Sequence, residues 1–539
     1  MKNWQTKEAL TDLLCSLVSH QSITGSPAEI ALPEYLHHLL MQTEYFQQHP
    51  ELLTLHPLDD GRRLLTALVK KGNARKTVIL LSHFDVVEVE DYGSLKNLAF
   101  RPKELTKEME HIKGELPEQV QQDLASGEWL FGRGTMDMKA GLALHLAMLE
   151  KAMNNEFDGN ILLLTVPDEE VNSQGMLTAL PVLKQLKAQE NVTYNACLNS
   201  EPMFSKYPGD DHYYVYTGSI GKVLPGFYCY GKEAHVGEPF SGINPNLMIS
   251  FLSQHLELNE AFIEKIGDEV TPPPTSLMQR DLKEAYSVQM PNAAIAMYNV
   301  LYLKQPFHEI NTKLLMAAKE AGQDIEAYVK EKASYFSDVA NDFSLPDFQV
   351  TVLMYEELYG EAVKRYGQKE ITRRQNLLVS KREHGDRDFS TLLVQDLASL
   401  CKDLGPMIVL FYSPPFYPAV SSYGDPYIKN VIDHTIEQTR SSYNIHLTVA
   451  EFFTGLSDLS YVGPPSAKSS KLSQLTTNMP LKNNGFIFPE EVIEELTMPV
   501  LNIGPLGRDP HQWTERLELT YSFEYLPDIL TSAIKRLLN

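Results

Sequence analysis

The chain has 539 residues, 43% of them apolar, and 47 basic against 70 acidic residues give a formal net charge of -23. A length beyond one ordinary core implies two or more domains. The negative balance argues against nucleic acid or an anionic membrane surface as a partner, and four scattered cysteines without CxxC spacing (Cys15, Cys197, Cys229, Cys401) read as small buried hydrophobes in a reducing cytoplasm.

The N-terminal MKNWQTKEALTDLLCSLVSH sets Ala9, Leu10, Leu13, Leu14, Leu17 and Val18 at helical spacing, interrupted by Lys7, Glu8 and Asp12. That predicts an amphipathic helix, not a secretory signal, and no apolar run reaches the roughly 20 residues of a membrane span. TVILLSHFDVV from Thr77 reads as a buried strand, KAGLALHLAMLEKAM from Lys139 as a helix, and NILLLTVPDEE from Asn160 and YNACLNSEP from Tyr194 as further strands. Continuous apolar strands alternating with helices predict an α/β fold with a mostly parallel sheet. The texture changes at His212, where HYYVYTGSIGKVLPGFYCYG alternates like a half-exposed strand. A helix follows from Asn244, then a TPPPT loop at 271–275 and a strand from Asn292. A charged, helix-favouring stretch begins at His308, GPMIVLFYSPPFYP from Gly405 is again a strand, and MPVLNIGPLGRDPH from Met498 with a closing helix from Leu526 restores the first pattern. One α+β domain (214–420, with a helical elaboration at about 308–386) is therefore expected inside an α/β domain made of 1–213 and 421–539.

Each strand of the outer halves ends in ligand-type side chains. His83 and Asp85 follow VILLS, Glu169 and Glu170 follow ILLLTVP, Glu201 follows NACLNS and His511 follows VLNIGPLGRDP, while Asp137 precedes a helix. Ligands bind at the carboxyl ends of parallel strands, so these residues are expected on one edge. Two imidazoles among several carboxylates is the composition of a dinuclear zinc site, with cobalt or manganese as alternatives. Two divalent cations also explain how adjacent carboxylates such as Glu169 and Glu170 tolerate one another.

The pieces SHFDVV, LAFRP, EWLFGRGTMDMKAG, DEEVNSQG, NSEP, GKEAHVGEPFSGINP and HQWTERL, in this order, resemble the dizinc exopeptidases and N-acyl-amino-acid deacylases, which include acetylornithine deacetylase, succinyl-diaminopimelate desuccinylase and glutamate carboxypeptidase. The resemblance implies a phosphorylase/hydrolase-like catalytic domain with an inserted lid domain, here enlarged. It implies that His83 and Glu201 hold one metal, Glu170 and His511 the other, and Asp137 bridges both. Asp85 would accept a hydrogen bond from the other ring nitrogen of His83, and Glu169 would be the general base for water attacking an amide of a small peptide or N-acyl amino acid. A cis Asp137–Met138 peptide, a lid histidine (His235) that steadies the oxyanion across a homodimer, and a link to arginine or ornithine catabolism follow from the same resemblance.

Two departures stand out. The lid Asn and Arg that grip a substrate carboxylate in many relatives align with Val288 and Leu301, and the 308–386 stretch exceeds the usual lid. They give an alternative its warrant, namely a non-catalytic binding or regulatory protein that retains the metals. Ser457 and Asp458 in GLSDLSYV read equally as a site turn or a plain one. Gly132, Gly134 and Gly141 read as backbone geometry around Asp137, and His145 and the other histidines without a matching context carry no assigned chemistry.

Overall fold

The strand Lys76–His83 forms because five of its eight residues are apolar or β-branched, and it is buried from Thr77 onward. It pairs in parallel with Asn160–Val166 on one side and Thr193–Asn199 on the other. Val500–Asn502 extends the parallel block beyond Thr193–Asn199. In the computed structural model, which describes residues 4–207, 209–340, 348–467 and 472–539, these strands form the centre of an eight-stranded sheet.

The sheet is mixed where the sequence suggested a mostly parallel one. Leu53–Pro57 and Arg63–Val69 form an antiparallel hairpin on the edge beyond Asn160–Val166, and Tyr213–Tyr216 runs antiparallel to Val500–Asn502. The connection at 58–62 is too short for a crossover helix, so the first two strands can pair only antiparallel. Lys139–Met153 is a helix buried on nearly every side, packed between the sheet, the N-terminal helix Lys7–Ser19 and the closing helix Leu526–Leu538, which explains why its apolar pattern is almost unbroken.

These elements belong to the first of two units, which comprises Met1–Ile220, Tyr417–Ser466 and Glu491–Asn539. The second unit, Gly221–Phe416 with Ala467–Glu490, is built on a five-stranded sheet in the order Thr275–Asp281, Ala293–Tyr302, Gly221–Tyr230, Met407–Tyr417, Thr351–Met354. Gly221–Tyr230 is buried along nearly its whole length, not half-exposed as its alternation suggested, because it is a central strand covered by the helices Pro245–Leu256 and Asp386–Leu400. Tyr228, Ile295, Leu358, Leu397, Val409 and Phe411 lie in this unit's core. Residues 467–490 join the second unit through Asn478, whose carbonyl accepts from Tyr412 N and whose side-chain oxygen accepts from Glu356 N.

Candidate dinuclear metal centre

Strand register brings the chemistry together. His83 lies opposite Val166, three residues before Glu169, and Asn199, two residues before Glu201, lies opposite both Leu81 and Asn502. A three-stranded sheet of Trp129–Phe131, Arg516–Glu518 and Gly507–Arg508 supplies the other two residues. Asp137 follows its first strand, and His511 sits in the turn between Arg508 and Arg516. Glu515 ties those segments, its carboxylate accepting from Met136 N at 3.3 Å and from Arg133 Nη1 at 2.8 Å.

Asp137 turns one carboxylate oxygen toward each histidine. Oδ1 is 3.4 Å from His83 Nε2, and Oδ2 is 3.2 Å from His511 Nε2. His511 Nε2 is also 3.2 Å from Glu170 Oε2, while His83 Nε2 lies 3.7 Å from Glu201 Oε1 and 4.0 Å from Glu169 Oε2. Two donors about 2.0–2.1 Å from a shared tetrahedral zinc stand about 3.4 Å apart. The spacings therefore suit cations between Asp137 and each histidine, and His83, Asp137 and Glu170 offer ligand atoms that all lie within 4.8 Å of one another. The Asp137–Met138 peptide is cis.

The protonation pattern has the same origin. Burial pushes the Glu169 and Glu201 carboxyls well above their usual range and raises that of Glu170, and neighbouring carboxylates add to each shift. Burial alone would lower the two imidazoles, yet the surrounding carboxylates outweigh it: His83 is raised well above the ordinary value and His511 to about 11. For Asp137 burial is likewise outweighed, and the two histidines hold it below the usual carboxylate range. Crowded buried carboxylates that draw protons onto both histidines form a cavity deficient in positive charge, which divalent cations would supply.

His83 Nδ1 lies 3.1 Å from the backbone carbonyl of Asp85 and 3.6 Å from its Oδ1, so the closer partner is the carbonyl, not the expected carboxylate. A carbonyl only accepts, which puts the proton on Nδ1 and leaves the Nε2 lone pair facing the centre in the neutral ring. The carboxylate of Asp85 instead holds the loop of Glu169 and Glu170, accepting from Glu169 N at 3.1 Å, Glu170 N at 3.3 Å and Thr24 Oγ1 at 2.8 Å. Tyr417 donates its hydroxyl to the Glu169 carbonyl at 3.1 Å.

Ser457 accepts from Asn199 Nδ2 at 2.9 Å, and Asp458 is buried close enough for its charge to raise Glu169 further; burial pushes its own carboxyl up to about 7. His145, to which the sequence gave no chemistry, is wholly buried with Nε2 2.9 Å from Ser200 Oγ, beside Glu201. A usable signal was present, since Gly141 and His145 are four apart on one helix face and both meet Ser200. His235 lies in the second unit, exposed, with Nδ1 accepting from Gly237 N at 3.1 Å. Val288, where a relative's clamp residue aligns, is half-exposed, and its carbonyl accepts from Val236 N.

Fold and site together define an α/β protein whose parallel strands end at a cluster of buried carboxylates and two histidines, a candidate metal centre. The profile of Peptidase family M20/M25/M40 matches residues 79–467, and the chain belongs to this family, which places it among the hydrolases. It is 54% identical to the protein YqjN of Bacillus subtilis (strain 168), over 100% of this chain and 98% of that one. It is 31% identical to Protein RocB of the same organism, over 99% and 95%. A crystal structure of the YXEP protein of Bacillus subtilis, described as a dinuclear metal binding peptidase of family M20, shares the fold with a TM-score of 0.50 at 10% identity, covering 99% of this chain and 98% of that chain.

Proposed function

We propose that this protein is a metal-dependent amidohydrolase or exopeptidase that cleaves an amide bond of a small peptide or an N-acyl amino acid. The observation that carries the reading is Asp137, whose two oxygens face His83 and His511 separately while Glu169 stands 4.0 Å from His83 Nε2. His83 and Glu201 would hold one ion, Glu170 and His511 the other, and Asp137 both. Zinc suits the histidines, with cobalt or manganese as alternatives. Such ions supply Lewis acidity toward the amide carbonyl and make an attacking water acidic near neutral pH.

Glu169 is the group for proton transfer. Its carboxylate accepts the proton released by water and delivers it to the leaving nitrogen. Asp85 and Tyr417 keep Glu169 in place by gripping its backbone N–H and carbonyl. His235 is proposed as the donor to the oxyanion. Because its Nδ1 accepts from a backbone N–H, the neutral ring carries its proton on Nε2, available for donation. A homodimer built through the second unit is proposed as the assembly, arginine- or ornithine-derived compounds as substrates in line with the likeness to RocB, and the cytoplasm as the location in line with the four scattered cysteines.

The test is a panel of dipeptides and N-acyl ornithines, arginines and glutamates, offered to protein loaded with zinc, cobalt or manganese, with elemental analysis of the metal content. Hydrolysis of one class with two ions per chain supports the reading. Metal-loaded protein that binds amino acids and hydrolyses none overturns it in favour of a binding or regulatory role.

A further inference from the structure

The loop that carries Glu169 and Glu170 is held from a second side by a buried charge cluster. Asp168 is buried at a positive φ of 71°. Its carbonyl accepts from Asn172 N and Ser173 N, and its Oδ2 from Gln174 N at 3.0 Å, so Asp168 is the pivot of the 168–174 loop. Its own N–H donates to Glu29 Oε1 at 3.0 Å. Three successive N–H groups, of Asp168, Glu169 and Glu170, thus end on just two buried carboxylates, Glu29 and Asp85.

Glu29 and Asp168 would repel one another without a cation between them, and Arg62 supplies it. Arg62 Nη1 stands 2.6 Å from Asp168 Oδ1 and 3.2 Å from Glu29 Oε1, while its Nε donates to Asp60 Oδ2 at 2.8 Å. The Arg62 side chain is 11% exposed, that of Glu29 0% and that of Asp168 5%. A planar guanidinium can serve several carboxylates from fixed directions, which a flexible ammonium cannot do as well.

We infer that Arg62, in the hairpin turn 106 residues before Asp168, is a positioning residue for the Glu169–Glu170 loop. By pairing with Glu29 and Asp168 it fixes the backbone from which the proposed base and the proposed metal ligand project. Its effect on turnover rests on the function proposed above, whereas its effect on the loop does not.

The test compares full-length wild type with Arg62→Met and Arg62→Lys, using hydrogen exchange of backbone amides, zinc titration and steady-state kinetics. In Arg62→Met, amides of 168–174 should exchange at least about tenfold faster while those of Lys76–His83 and Asn160–Val166 keep their rates. One of two zinc ions should bind about 10–100-fold more weakly, as expected when a group supporting a ligand is lost. kcat should fall more than KM changes, and Arg62→Lys should lie between. Unchanged loop exchange and zinc binding in folded Arg62→Met, or exchange accelerated equally throughout the sheet, overturns the inference. If Arg62→Met does not fold, Arg62→Met combined with Glu29→Gln relieves one unpaired carboxylate and faces the same criteria. Wild type that hydrolyses nothing would sink the proposed function, while the exchange and zinc data would still decide the role of Arg62.

Discussion

Asp85 and Glu169 are joined through the backbone, the N–H of Glu169 resting 3.1 Å from one carboxylate oxygen of Asp85 while the N–H of Glu170 rests 3.3 Å from the other. The carbonyl of the same aspartate lies 3.1 Å from His83 Nδ1. One residue therefore sets both the ring that faces the candidate centre and the loop that carries the proposed base.

Asp85→Asn keeps one accepting oxygen and replaces the other with a donor, which meets an N–H head-on. A buried charged hydrogen bond lost in this way costs about 1–3 kcal/mol. Thermal unfolding of the variant should show that loss, and kcat should fall about 10–100-fold, the range seen when a group supporting metal ligands is removed. Wild-type kcat in Asp85→Asn would show that the loop holds its place without this carboxylate.

Glu169→Gln tests the chemistry apart from the scaffold. The amide fills the same space and leaves the backbone contacts to Asp85 and Tyr417 intact, but it cannot accept a proton. Elemental analysis should find the wild-type metal content, and turnover should drop about 10²–10⁴-fold, the span attributed to a positioned acid–base group.

Metal uptake should release protons. The surrounding carboxylates raise the His511 pKa to about 11 and push that of His83 upward as well, so a metal arriving at neutral pH must displace a proton from His511. A raised folded-state pKa means that the charged ring stabilises the metal-free protein fully below the unfolded value of about 6.5 and progressively less as pH rises toward 11. Zinc competes with that proton, so apparent zinc affinity should rise with pH across 6.5–8.5. Calorimetric titration in PIPES and in HEPES, which bind zinc weakly and differ in ionisation enthalpy, should give different apparent enthalpies, the difference reporting the protons released. Equal enthalpies in both buffers would mean that neither ring is protonated before the metal arrives.

Much of the site was legible because it depends on strand order. Apolar runs ending in His83, Glu169 and Glu201 point to one edge once the strands are parallel, and the register from Leu81 to Asn199 places them there. The supports were not legible. Glu29 and Arg62 lie in a helix and a turn with no periodicity that singles them out, and only the tertiary approach of the first hairpin shows that they serve Asp168. The expected hydrogen bond from His83 to the Asp85 carboxylate meets the Asp85 carbonyl instead, since sequence does not distinguish two acceptors on one residue. The strand at Gly221–Tyr230 was misjudged as half-exposed for a related reason, because alternation of residue types says nothing of a helix covering the second face.

The backbone at Glu201 is pinched between two glycines, and this gives a last test of how tightly the centre is built. A Cβ on Gly504 would lie 1.8 Å from the Glu201 carbonyl oxygen, and one on Gly141 would lie 2.3 Å from that of Ser200. Both obstacles are backbone atoms in a buried strand end that also receives a hydrogen bond from Asn502 Nδ2 at 3.1 Å, so neither can swing aside as a side chain could. Gly504→Ala must therefore displace Glu201 itself. Overpacking of this kind costs about 1–3 kcal/mol, and the displaced carboxylate should weaken zinc binding at the His83 side. Gly360→Ala is the matched control, lying inside the helix Tyr355–Tyr366 with no atom within 4 Å of the added carbon. It should be neutral or raise stability by about 0.4–1 kcal/mol. Thermal unfolding and zinc titration of the two variants side by side separate an effect of position from an effect of adding a methyl group, and equal behaviour of the pair would mean that Glu201 has room to move.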